Sequence, residues 1–151
     1  MDVKVKLLKP SAVLPAYQTD HAAAMDVHAC IDESMVVQSL ERFMVPTGLA
    51  FELPAGTEMQ VRARSGLSIK HGITLVNGIG TIDADFRGEL NVLMINLGQE
   101  PFTIEPGMRI AQLLVSRYEK VNWTRVEDLA ISDRGEGGFG STGFDNHPRS
   151  N

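Results

Sequence analysis

Thiols are almost absent from this chain: Cys30 is the only cysteine in 151 residues. That excludes an intrachain disulfide and any cysteine-rich metal site. Long apolar runs are missing too. Stretches such as Val92-Leu93-Met94-Ile95 fall far short of the roughly 20 residues a membrane-crossing helix needs, so no membrane partner is expected. Nor is there any excess of positive charge. With 14 Lys and Arg against 19 Asp and Glu, the formal charge is −5, and a nucleic-acid backbone is an unsuitable general partner. Any anion site must therefore be local, built from a few arginines and backbone amides. The opening residues, Met1-Asp2-Val3-Lys4-Val5-Lys6-Leu7, alternate apolar and charged side chains and lack the apolar stretch of a signal peptide. A cytoplasmic protein is expected. No glycine-rich loop ends in Gly-Lys-Ser/Thr, which excludes a P-loop. His21, His28, His71 and His147 show no zinc spacing, and no Ser-His-Asp arrangement suggests itself.

What the chain does have is alternation. Val3, Val5 and Leu7 share one strand face. Residues 42–45 and 49–53 read as two strands broken by Pro46-Thr47-Gly48, and Met59-Gln60-Val61-Arg62 continues the pattern. Residues 73–77 and 80–86 look like the arms of a hairpin around Gly78. Residues 89–97 are apolar in both registers, as in a strand covered on both faces in a sandwich or at a subunit interface. Ile104-Glu105-Pro106-Gly107 reads as a turn, and residues 109–117 and 118–126 as further strands. One short helix is expected over 66–71, with Ser65 as its N-cap. Many short strands with glycine and proline turns argue an all-β jelly-roll sandwich or barrel. The expected domain spans residues 1–131, followed by a glycine-rich arm over 132–151.

That arm holds Arg134-Gly135-Glu136-Gly137-Gly138-Phe139-Gly140-Ser141-Thr142-Gly143. Glycine has no side chain to bury and loses the most backbone entropy on ordering, so the stretch cannot build a core. It is either a flexible tail or a clamp that closes over an anion through backbone amides, hydroxyls and Arg134, with Phe139 against a planar ring. Arg64-Ser65-Gly66 stands where a strand gives way to the helix, as an ordinary capped helix or as a phosphate contact. In Gly80-Thr81-Ile82-Asp83-Ala84-Asp85-Phe86-Arg87-Gly88, Asp85 is expected to cap the turn while Asp83 faces a pocket as a general base. Phe86 can floor that pocket. Asn77, Gly78 and Gly80 can read a base edge. Arg109 and Gln112 stand at a strand start. Asp26, flanked by apolar residues, is either an edge residue or a partner for a hydrated metal.

In this order and spacing, these five segments resemble the motifs of the trimeric deoxyuridine triphosphate nucleotidohydrolases, the dUTPases, over most of the chain from Pro15 to Gly143. The resemblance implies a jelly-roll homotrimer that hydrolyses dUTP to dUMP and pyrophosphate, with Mg2+ on the triphosphate. It also implies three active sites shared between subunits. Asp83 would activate water and Phe86 would lie under the deoxyribose. Asn77 and the Gly80 backbone would read uracil, while Arg64, Ser65, Gly66 and Gln112 would bind the α- and β-phosphates. Asp26 would hold waters of the Mg2+. Arg134, Gly140, Ser141 and Thr142 would grip the γ-phosphate while Phe139 stacks on uracil. Two positions depart from the family pattern: Phe86 stands where tyrosine is usual, and Ala24 where the first motif normally has glycine. A related deoxycytidine triphosphate deaminase would need a carboxylate at the base's C4, and the hairpin segment carries no extra glutamate for it. A non-catalytic relative, either a nucleotide-binding regulator or a structural jelly-roll trimer, is the other alternative; a purely structural trimer would have no use for Asp83 or the arm.

Overall fold

The computed structural model describes residues 1–139. Its elements run β1 (Lys4–Leu7), β2 (Met25–His28), β3 (Met35–Val37), β4 (Arg42–Glu52), β5 (Thr57–Ala63), α1 (Ser65–His71), β6 (Ile73–Leu75), β7 (Gly80–Ile82), β8 (Glu89–Asn96), β9 (Phe102–Ile104) and β10 (Arg109–Arg117). All pairings between these strands are antiparallel. They form a sheet ordered β1-β4-β8-β6, a second ordered β2-β10-β5-β7, and a two-stranded ribbon β3-β9. The expected all-β class with one short helix is what is found.

One apolar cluster joins the sheets and the ribbon. Val45, Leu49, Leu90 and Val92 come from the first sheet, Val27, Met59 and Leu113 from the second, and Val37 and Ile104 from the ribbon. Alternation explains why these residues meet. On β8 the positions Leu90, Val92, Met94 and Asn96 are buried while Leu93 is 42% exposed, so the strand uses one of its two apolar registers for the core. Asn96 is tolerated inside because its amide is satisfied: Nδ2 donates to the Val37 and Glu100 carbonyls, and Oδ1 accepts from the Gly98 amide.

Four expectations change. Pro46-Thr47-Gly48 does not end a strand but bulges a continuous β4, with the register to β8 shifting between Pro46 and Ala50. Gly48 adopts φ +68° there, and the Glu89 carboxylate takes its amide. The presumed hairpin around Gly78 is a corner. Its arms part, β6 pairing with β8 in one sheet and β7 with β5 in the other. The helix begins one residue earlier, with Arg64 at the N-cap position and no side-chain cap, so Ser65 is its first residue. Finally, residues 118–126 form no strand; β10 ends at Arg117.

The chain divides into two compact units, Met1–Glu119 and Lys120–Asn151. The expected boundary at 131/132 falls within the second. In that unit, among the described residues, the Gly135 amide donates to the Ser132 carbonyl, and Arg134 Nε donates to the Gly137 carbonyl at 2.8 Å. Trp123, Leu129, Ile131 and Phe139 are exposed.

Gly72 closes α1 in the left-handed region at φ +71°, its amide donating to the Leu67 and Ser68 carbonyls. A Cβ at this position would run into the Gly98 backbone. Gly72→Ala should therefore lower stability by about 2 kcal/mol or more, read as a fall in melting temperature at fixed protein concentration.

Candidate active site

Two groups of polar residues emerge from the second sheet. The first is centred on Asp26. Its backbone amide donates to the Ala16 carbonyl and it lies opposite Gln112 across β2 and β10. β10 in turn pairs with β5, which leads directly into Arg64. The carboxylate is only 2% exposed. Arg64 Nε approaches it at 3.3 Å, Arg109 Nη1 at 3.1 Å and Gln112 Nε2 at 3.3 Å. Arg64 Nη1 also donates to the Arg109 carbonyl at 3.0 Å. Three of the residues expected to bind phosphate or metal, Asp26, Arg64 and Gln112, thus come together. Ser65 and Gly66 follow Arg64 directly and are exposed. Their amides lie at the open start of α1, because the Leu67 and Ser68 amides are already taken by the Arg64 carbonyl.

Arg109 is a member that the sequence reading mentioned and did not assign. Its strand-start position carries no signal of its own; the cross-strand partner Asp26 supplies one. His28 is another. It lies opposite Arg109, and its Nδ1 is buried with no hydrogen-bond partner among the described residues. Burial pushes the imidazole below its ordinary range; Asp26 pulls the other way, while Arg109 and Arg64 reinforce the fall.

The second group surrounds the corner. Asn77, Gly80, Thr81, Asn91 and Leu93 line a cavity of about 140 Å3. Gly80 sits close against its neighbours: a Cβ there would come within 3.1 Å of Val61 Cβ, a tight contact, and 3.5 Å of Asn77 Nδ2. Beyond β7, Asp83 is exposed and its carbonyl accepts from the Phe86 amide at 3.1 Å. Asp85 does not cap this turn. Arg87 does so instead, its Nη1 donating to the Ala84 carbonyl at 2.7 Å and the Phe86 carbonyl at 2.9 Å. The Phe86 ring, 44% exposed, lies over Gly88, where a Cβ would meet Cζ at 2.6 Å. A small cavity walled by Val61, Leu75, Ile82 and Leu93 with Asn77, Thr81 and Asn91 among them, followed along the chain by an exposed acid and an exposed ring, has the groups to serve a nucleoside and a water.

The dUTPase family model matches residues 11–143. The chain belongs to the dUTPase family. The deoxyuridine 5'-triphosphate nucleotidohydrolase of Syntrophotalea carbinolica is 54% identical over 142 residues, covering 94% of this chain and 97% of that protein. A mutant dUTPase of Staphylococcus bacteriophage 80alpha, solved with dUpNHpp, superposes with a TM-score of 0.85 at 26% identity and covers 94% of this chain and 98% of its own. A mutant dUTPase from phage phi11 of S. aureus, described with a structural Mg(II) ion, shares the fold at 21% identity and a TM-score of 0.78, over 87% of this chain and 100% of that one. As a dUTPase, the protein is an enzyme, a dUTP diphosphatase of nucleotide metabolism.

Of the site residues implied by resemblance, Gly140, Ser141 and Thr142 lie outside the described residues. Arg134 and Phe139 belong to the second unit, where Arg134 bonds within its own turn. No group of three or more His, Cys, Asp or Glu side chains among the described residues is arranged for a metal ion. The surroundings of Asp26 do not fit Mg2+ either, since two guanidiniums and an amide NH2 occupy the carboxylate.

His28 gives a pH signature. A base whose folded pKa is depressed contributes stability above its ordinary pKa of about 6.5, and that contribution is lost as pH falls through the lower folded value. The melting temperature should fall as pH drops below about 6.5, and His28→Gln should flatten that part of the profile.

Proposed function

We propose that the protein hydrolyses dUTP, carried as its Mg2+ complex, by in-line attack of water on the α-phosphorus. The P–O bond to the bridging oxygen breaks, and dUMP and pyrophosphate leave. Asp83 accepts the proton of the attacking water. Asn77 and the backbone at Gly80 hold uracil in the corner cavity, and the Phe86 ring supports the deoxyribose. Arg64, Ser65, Gly66 and Gln112 take the α- and β-phosphates, where fixed donors stabilise the charge that develops on the leaving group. Arg134 and Phe139, with Gly140, Ser141 and Thr142, close over the γ-phosphate and the base. The metabolic role is to limit uracil in DNA and to supply dUMP for thymidylate synthesis in the cytoplasm. The partners are dUTP and two further copies of the chain in a jelly-roll homotrimer, without nucleic acid or membrane.

What carries the shared-site reading is a distance set by register. β7 pairs Gly80 with Val61 and Ile82 with Met59, so Asp83 continues towards the level of Glu58. Arg64 follows the other end of β5, six residues from Glu58, roughly 20 Å away along the strand at about 3.4 Å per residue. That separation supports a site in which Asp83 and Arg64 of different copies meet on a single α-phosphate, a second copy bringing its Arg64 group to the first copy's corner.

Asp83→Asn should lower turnover by about a thousandfold while dUpNHpp still binds in calorimetry; near-normal kcat would point to another base. Asp83→Asn and Arg64→Ala chains, each inactive alone, should regain activity when unfolded and refolded together. Recovery is impossible if every site lies within one chain. Removing residues 132–151 should leave the assembly folded and lower kcat/KM for dUTP at least about tenfold, with dUMP binding little changed.

A further inference from the structure

Asp26 is a buried carboxylate surrounded by positive charge. At 2% exposure it has exchanged water for two guanidiniums and a side-chain amide, at 3.1 to 3.3 Å. A carboxylate has about four lone-pair directions; hydrogen bonds from Arg109 and Gln112 take two of them, and the Arg64 guanidinium lies against Oδ1 as an ion pair. A magnesium ion, even through water, would have to approach past two fixed cations. The arginines are differently placed. Each carries five N–H donors and spends only some of them: Arg64 on Asp26 and the Arg109 carbonyl, Arg109 on Asp26 and Gln18 Oε1 at 3.3 Å. Their side chains remain 27% and 45% exposed. Among the described residues the remaining donors meet no acceptor, which leaves them for an anion.

We propose that Asp26 is a positioning residue: it is the buried counter-ion that holds Arg64 and Arg109 together as a paired fork for the substrate's phosphates, and it is not a holder of Mg2+. Two guanidiniums repel one another, so without an anion between them they separate and meet a phosphate only after reordering. Asp26 bears that cost before substrate arrives. Its own position is set by backbone pairing, through the Ala16 bridge on one side and Gln112 on the other, so the fork is anchored to the sheet. Arg109 thereby joins Arg64 as a phosphate contact. The inference rests on the dUTPase reading of this face and adds the division of labour within it.

The test is calorimetric titration of dUpNHpp into the full chain, in EDTA and again in saturating Mg2+. Asp26→Asn keeps the size of the side chain and removes its charge. Its affinity should fall at least about tenfold under both conditions, leaving the ratio between them as in the wild type, and KM should rise more than kcat falls. Unchanged or tighter binding in EDTA, or a loss confined to the magnesium samples, would overturn the inference. If Asp26→Asn does not fold, Arg109→Gln takes its place on the exposed side of the pair, with the same metal-independent loss expected. Wild-type affinity in that variant would equally reject the paired fork. Failure of the wild-type protein to bind dUpNHpp at all would instead count against the reading of the site.

Discussion

Everything around the buried Asp26 hangs on the register of β10. The strand pairs with β5 over seven residues and with β2 on its other edge, and its Ile110, Ala111 and Leu113 are fully buried. Because side chains alternate, burying Leu113 turns Gln112 to the opposite face, beside Asp26. A slip of one residue would send Gln112 into the core and Leu113 into solvent, which the apolar face forbids. The hydrophobic pattern of one strand therefore decides which polar groups meet on the reverse side of the sheet.

The interior tolerates polar groups by different means. Thr47 and Asn96 are buried as neutral groups and satisfied by carbonyls of neighbouring strands. Asp26 is buried as a charge, and only the two arginines make that tenable. The first kind of burial ties strands and loops together. The second costs desolvation and adds little net stability, so it belongs with what the arginines are held for more than with stability. At the corner the same logic appears as space. Gly80 and Gly88 leave room for a cavity wall and for the Phe86 ring, and Arg87 fastens the turn that carries Asp83.

The sequence was most readable where one local rule acts alone. β10 was expected over 109–117 and is found there, and the apolar alternation of β8 was plain. The short strands β2, β3 and β9 escaped notice: with three or four residues each, they show little period, and unlike β6 and β7 they flank no turn read as a hairpin. Residues 118–126 alternate well enough to suggest a strand, yet alternation supplies no partner, and without one the backbone forms no ladder. Pro46-Thr47-Gly48 looked like an end because proline and glycine mark both breaks and bulges. Asp83, Phe86, Arg64 and Gln112 were singled out through the family's motifs. Arg109 was not assigned, since its meaning comes from a partner 83 residues away.

By itself the sequence determined the all-β class, the one short helix, the family and the residue types at each motif, because these depend on local alternation, turn chemistry and short ordered strings. Only the tertiary structure decided that the presumed hairpin is a corner joining two sheets, that Arg87 rather than Asp85 holds the turn after β7, and that Asp26 faces two arginines. The physical reason is common to all three. Each outcome depends on which strand lies alongside, and cross-strand pairing is chosen by the packing of the whole core rather than by any window of neighbouring residues.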